Sequence, residues 1–241
     1  MQPGGRQPEA RSRSHGLEET RQLAADCKLC RLCNTRSHVV FGSGDPEARL
    51  MFVSEGPGYH EDRGGEPFVG AAGELFDELL ASISIARSDV YVTSVVKCRP
   101  PRNRTPFPDE IEQCEGYLFR QVTSVQPDVI CTLGNVAIKL LTDRAHRLSK
   151  VHGQTFEVAI QGRPVTVLPL YHPAAAGTDS SLLATLREDI RLLPALLRSE
   201  VDAEPTPSLA AEPELAPTAA ASSAGAGKRA IKDDQMTLKL G

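Results

Sequence analysis

Arg49-Leu50-Met51-Phe52-Val53-Ser54-Glu55-Gly56-Pro57-Gly58 is the stretch that decides the fold. Its unbroken apolar run, closed by Gly-Pro-Gly, reads as a strand buried on both faces that stops abruptly at a turn. Such strands belong to parallel sheets covered by helices. Three more stretches have the same character: Val90-Tyr91-Val92-Thr93-Ser94-Val95-Val96, residues 128–133 and residues 165–170. Between them, residues 72–83, 108–121 and 135–141 carry helical spacing, with Pro108-Asp109-Glu110 a favourable first turn. A last amphipathic helix is expected over residues 181–197. The alternation predicts an α/β fold, a three-layer α/β/α sandwich around a central, mainly parallel four-stranded sheet. Ligands of such sheets sit beyond the carboxyl ends of the strands. The unusual motifs of the chain fall there: Ser54–Gly58 after the first strand, a basic loop after the second, and His172-Pro173 after the fourth.

Outward from this core the composition changes. Residues 1–18 are polar and rich in Gly, Pro and Arg, and are expected to be disordered, with a short helix over residues 16–25. From residue 199 to 230 the chain is Ala, Pro, Glu and Ser with almost no large apolar side chain, a linker composition. The ordered domain is therefore expected over residues 19–198, followed by a terminal peptide over 231–241. Formal net charge is -4, so no global basic field draws in nucleic acid and any such contact must be local. Lys97-Cys98-Arg99-Pro100-Pro101-Arg102-Asn103-Arg104 is such a patch, basic, proline-stiffened and without an acid. Its arginines, Arg99, Arg102 and Arg104, are candidates for phosphate contact. The chain shows neither an apolar leader nor a stretch fit to cross a membrane, so a cytoplasmic monomer with no membrane association is expected.

Six cysteines in that setting read as metal ligands before disulfides. Cys27-x-x-Cys30 places two sulfurs on one centre at little loop cost, and Cys98 and Cys114 flank the basic loop. Spacing alone suits Zn²⁺ and an iron–sulfur cluster equally. Cys33 is a competing ligand in Cys27-x-x-Cys30-x-x-Cys33, and Cys131, inside an apolar run, reads as a buried small hydrophobe.

The pocket candidates follow from position. In Glu55-Gly56-Pro57-Gly58 the glycines allow close backbone approach to a ligand. Glu61 and Asp62 are acids in the continuing loop, where a solvated turn is the bland reading. Phe68 lies between two turn-forming segments and is either a core plug or a stacking platform. His172, fixed beside Pro173 at a strand end, is placed to donate a hydrogen bond to a ligand. His38, His60, His146 and His152 lack such a context and read as surface residues.

These segments together resemble the family 4 uracil-DNA glycosylases, the iron–sulfur class. The likeness covers residues 26–197 and rests on Cys27-x-x-Cys30, Glu55-Gly-Pro-Gly with Glu61-Asp62, Pro67-Phe68-Val69-Gly70-x-Ala72-Gly73, Val95 to Arg104, Cys114, Leu133-Gly134 and His172-Pro173-Ala174. The resemblance implies hydrolysis of the N-glycosidic bond of uracil, or another deaminated base, in DNA, leaving an abasic site. It implies a 4Fe–4S cluster on Cys27, Cys30, Cys98 and Cys114. Phe68 would stack on the flipped base and His172 would hydrogen-bond it. Glu55, Gly56 and Ser94 would contact its edge, and Glu61 would lie near the attacking water. The chain departs from the family at Ser94, where Asn is usual, which leaves a catalytically weak nucleic-acid-binding module as the alternative. Finally, Gln235-x-x-Leu238-x-Leu240 resembles the short peptide with which bacterial repair proteins dock on the sliding clamp.

Overall fold

A computed structural model describes residues 7–144 and 146–199. The helices are α1 (Gln7–Ala25), α2 (Tyr59–Gly64), α3 (Ala71–Ser82), α4 (Pro108–Val125), α5 (Asn135–Thr142), α6 (Leu148–Val151), α7 (Pro173–Ala176), α8 (Ser180–Ile190) and α9 (Leu193–Ser199). The strands are β1 (Ser43–Gly44), β2 (Leu50–Ser54), β3 (Val90–Ser94), β4 (Val129–Leu133), β5 (Phe156–Ile160) and β6 (Arg163–Leu170). They form one six-stranded sheet in the order β1-β3-β2-β4-β6-β5. The four expected strands, β3, β2, β4 and β6, are its parallel centre. The sheet is wider than the expected four because an antiparallel strand is added at each edge. β1, two residues long, is too short to show any period. β5 alternates its burial and joins β6 through Gln161-Gly162, both at positive φ, a two-residue hairpin turn that matches strand twist.

Alternate residues of the central strands feed two cores. Met51, Val53, Ile130, Val165 and Val167 pack with Leu118 and Val122 of α4 and Ala137 and Leu141 of α5. Leu50, Phe52, Val129, Cys131, Leu168 and Leu170 pack with Phe76, Leu79 and Leu80 of α3 and Leu186 and Ile190 of α8. The period of two in a pleated strand thus builds helix–sheet–helix layering. Cys131 is fully buried among these side chains.

Two other boundaries differ from the sequence reading. The segment read as disordered through residue 18 is helical from Gln7, and α1 buries Leu17 and Ala24 in the core shared with α4. The last helix is two: Pro194 lacks an N–H and its ring would collide with the carbonyl four residues back, so α8 ends and α9 begins afresh. The linker and the terminal peptide with Gln235, Leu238 and Leu240 lie outside the described residues. Among the described residues no helix is long and apolar enough to cross a membrane.

Candidate active site

A cavity of about 510 Å³ opens at the carboxyl ends of β2, β3 and β6. Each strand delivers one part of it. β2 runs into Glu55-Gly56-Pro57-Gly58, β3 ends on Ser94, and β6 leads through Tyr171 to His172. Glu61, on the first turn of α2, and Phe68, ahead of α3, complete the set expected from sequence, and all six named pocket residues line this one cavity.

Phe68 sits at φ 56°, an unusual conformation for a bulky side chain. Its neighbours hold it there. A Cβ on Gly73 would coincide with the Phe68 carbonyl, so only glycine at this position lets the first turn of α3 lie flush against the loop. Arg87 donates to the Pro67 carbonyl at 3.1 Å and stands over the Phe76 ring. Phe68 packs on Phe76 at 4.7 Å and lies nearly parallel to the His172 ring, 5.3 Å and 19° away. The core-plug reading holds, since the ring closes the end of one core, and the same ring also lines the cavity.

His172 caps α7. Its Nδ1 accepts from the Ala174 N–H at 3.1 Å, and its carbonyl accepts from Ala175 and Ala176. Nδ1 must then keep its lone pair, which puts the ring proton on Nε2. Burial pushes the imidazole pKa down to about 4, so the ring is neutral near pH 7. The result is an uncharged donor with one fixed proton. Ser94 is the converse. Its hydroxyl donates to the Val96 carbonyl at 2.7 Å, which uses its single proton and leaves lone pairs. Burial pushes the Glu55 carboxyl up, whereas the Glu61 carboxylate folds back over Gly58. Asp62 is buried away from the cavity and accepts from the Ser37 N–H at 2.8 Å.

The basic loop divides. Lys97 turns inward, 1% exposed, and its ammonium donates to Thr93 Oγ1 (2.7 Å), the Ser94 carbonyl (2.5 Å) and Gln121 Oε1 (2.6 Å). Gln121 donates onward to the Phe41 carbonyl and Tyr91 Oη. Burial lowers the Lys97 pKa to about 7. Its three acceptors explain why a lysine can sit there. Lys97 is thus no part of a surface patch. Arg104 meets an acid from outside the run, pairing with both oxygens of buried Glu110 at 2.8 and 2.7 Å. Arg99 donates to Asn103 Oδ1 at 2.6 Å. Arg102 alone among the three arginines points to solvent with no partner among the described residues.

Cys27, Cys30, Cys33, Cys98 and Cys114 line a second, much smaller cavity, and all are free thiols. Arg36 donates to Cys98 Sγ at 3.2 Å and the Lys97 N–H to Cys114 Sγ at 3.3 Å. Burial pushes the thiols of Cys30, Cys98 and Cys114 up, the last to about 12. Among the described residues, no three His, Cys, Asp or Glu side chains converge on a single ion position.

Comparison with known proteins matches residues 41–192 to the uracil DNA glycosylase superfamily. The chain belongs to that superfamily. Its relatives include the type-4 uracil-DNA glycosylase of Archaeoglobus fulgidus, 46% identical over 163 residues, covering 66% of this chain and 82% of the relative. The Sulfurisphaera tokodaii type-4 protein is 40% identical over 73% of this chain and 82% of its own length. The Thermotoga maritima type-4 protein is 38% identical over 78% of this chain and 98% of its own length. Arg104, read as a phosphate contact, and Asn103 of the same loop also line the cavity. Within this superfamily fold, Tyr59 and His60 line it too and escaped the sequence reading, His60 as a plain surface histidine. His152, read the same way, is half-buried and bonded to Asp189 at 2.8 Å. The Thr93–Lys97–Gln121 network left no local signal, because its members come together only when β3 packs on α4.

Proposed function

We propose that the chain is a monofunctional uracil-DNA glycosylase of the type-4 class, which hydrolyses the bond between deoxyribose and a deaminated base and leaves an abasic site. The observation that carries this reading is the Phe68–His172 stack, an aromatic face and a neutral Nε2–H donor at one cavity wall. The base must leave the helix to reach it, at a cost of a few kcal/mol that is least for a mispaired or unpaired nucleotide. Phe68 offers the stacking face. As the C1′–N1 bond breaks, its electron pair moves onto the base, and the His172 Nε2–H hydrogen-bonds the carbonyl oxygen where negative charge gathers. The base departs as an anion, since a ring held neutral down to about pH 4 is a poor acid at pH 7. Water adds to the sugar carbon near the Glu61 carboxylate, and its proton passes to solvent. No covalent intermediate is required.

Ser94 reads the other edge. With its O–H donating to the Val96 carbonyl, its lone pairs are left to accept from a base ring N–H. Uracil N3 carries that proton; cytosine N3 is an acceptor and meets lone pair against lone pair. A single short acceptor replaces the two-point contact of the usual Asn, so turnover is expected to be lower than that of Asn-bearing relatives.

The donor set fits a 4Fe–4S cluster on Cys27, Cys30, Cys98 and Cys114. A cubane carries one thiolate on each iron and does not need the single-point convergence of a zinc site. The group supplies structural anchoring of the basic loop when bound. Arg36 and the Lys97 N–H are the donors that support its sulfur ligands. At the far end of the chain, Gln235, Leu238 and Leu240 would dock on a sliding clamp. Deleting residues 235–241 then abolishes clamp association and leaves turnover on short oligonucleotides unchanged. The deciding experiment is an abasic-product assay on a uracil-containing oligonucleotide with the brown, iron-loaded full chain. Binding without product defeats the glycosylase reading, and a colourless zinc-loaded protein defeats the cluster.

A further inference from the structure

Two aromatic rings stand exposed around the cavity mouth: Tyr59, 53% exposed, and Phe107, 44% exposed. Tyr59 is itself part of the cavity lining, and Arg104, which is too, lies against Phe107. Each ring carries a guanidinium on it. Arg99 Cζ lies 5.1 Å from the Tyr59 centroid, and Arg104 Cζ 3.8 Å from that of Phe107, with Arg31 Cζ at 5.5 Å.

These pairs are built rather than loose. Glu110, 0% exposed, accepts from both terminal nitrogens of Arg104 and from the Phe107 N–H at 2.8 Å. One buried carboxylate thus fixes the arginine, the loop and the ring together. The Arg99–Asn103 bond does the same for the guanidinium over Tyr59. A flat, stiff ring loses little freedom when something lands on it, and a planar guanidinium stacks as readily as an aromatic. In the same loop, between Arg99 and Arg104 in sequence, the solvent-facing Arg102 supplies a positive charge. Exposed aromatics interleaved with arginines at the mouth of a base-sized cavity have the chemistry of a single-strand nucleic-acid groove.

We propose that Tyr59 with Arg99, and Phe107 with Arg104, form two stacking platforms for unpaired bases of the substrate strand on either side of the nucleotide held in the cavity. The bound state is thus a locally single-stranded segment, and unpaired DNA is the preferred partner. In a duplex the faces of the flanking bases are covered by their neighbours and are not free to meet either ring. The proposal rests on the reading that a flipped base enters the cavity.

Fluorescence of 2-aminopurine, which is quenched by stacking, tests it with the full chain. The probe is a single-stranded oligonucleotide carrying a tetrahydrofuran abasic analogue, with 2-aminopurine placed one or two positions to its 5′ or 3′ side. Binding is expected to quench the reporter on both sides. Tyr59→Ala removes the quench on one side and Phe107→Ala on the other, each weakening single-strand binding about tenfold. Tyr59→Phe and Phe107→Tyr keep both signals, and their retention excludes misfolding as the cause. Quenching that survives both alanine variants overturns the platforms. So does quenching fully kept by Tyr59→Leu and Phe107→Leu, or equal loss of affinity for duplex and single strand. Failure of the glycosylase reading shows separately, as absence of abasic product from a uracil oligonucleotide, whatever the reporter does.

Discussion

On the cavity floor, Phe68, Ser94 and His172 each have one allowed arrangement. Phe68 packs against both Phe76 and His172, the Ser94 hydroxyl donates to the Val96 carbonyl, and His172 Nδ1 accepts from the Ala174 N–H. On the rim, Tyr59, Arg102 and Phe107 face solvent; Arg99 lies over the Tyr59 ring, and Glu110 holds the Phe107 backbone from behind. On the proposed function the floor serves charge that appears only as the glycosidic bond breaks, while the proposed platforms of the rim serve a strand that is present before and after. Preorganised donors act on the rate, whereas surface arginines and rings act on occupancy.

Variants can break that contrast, and the sharpest is His172→Ala. It should lower single-turnover cleavage about 10²- to 10³-fold, the usual cost of one lost oxyanion donor. Binding of uncleavable DNA should change little, and equal losses in rate and affinity would mean the histidine only holds substrate. The pH profile comes next. A ring with its pKa near 4 stays in the donor form across pH 5 to 8, so the rate should show no step near the ordinary imidazole value of about 6.5. The same depression makes the folded protein bind fewer protons than the unfolded chain between those two values. Stability should therefore fall as pH drops from about 6.5 toward 4, which thermal melts would show as a decrease lost in His172→Ala. A step in rate near 6.5 would overturn the neutral-donor assignment.

Smaller effects separate floor from rim more finely. Ser94→Asn restores a two-point contact and should raise uracil turnover about two- to tenfold, the worth of one hydrogen bond. Unchanged turnover would show that the base edge is read elsewhere. Arg102→Ala should weaken binding alike for every sequence and reduce the salt slope by roughly one, with single-turnover rate at saturation unaffected. A change in saturated rate would move Arg102 from the rim into the chemistry.

Much of this was legible in the chain. The four central strands announced themselves because strands buried on both faces must be continuously apolar. The Glu55–Gly58 turn and His172 followed from a rule of parallel sheets, that loops at the carboxyl ends converge on one side, whereas Ser94 came only from the family resemblance. Pro194 is a local signal that the expectation of one continuous last helix passes over, whereas the need for glycine at position 73 shows only once the Phe68 carbonyl lies against α3. Other features were written in weaker signs. The Gln161-Gly162 turn marks the hairpin that adds β5, and the absence of any period hides β1.

What the sequence determined by itself was the four-stranded parallel centre of the sheet and the side chains gathered at its carboxyl end, since periodicity and turn chemistry are local properties. Only the tertiary structure decided which charges are spent inside the protein. Lys97 and Arg102 stand five places apart in one basic run, yet one fills a buried cage of three oxygens and the other reaches water. That division depends on Gln121 arriving from α4 to complete the cage around Lys97, and a charge's value is set by the dielectric and partners around it rather than by its neighbours in the chain.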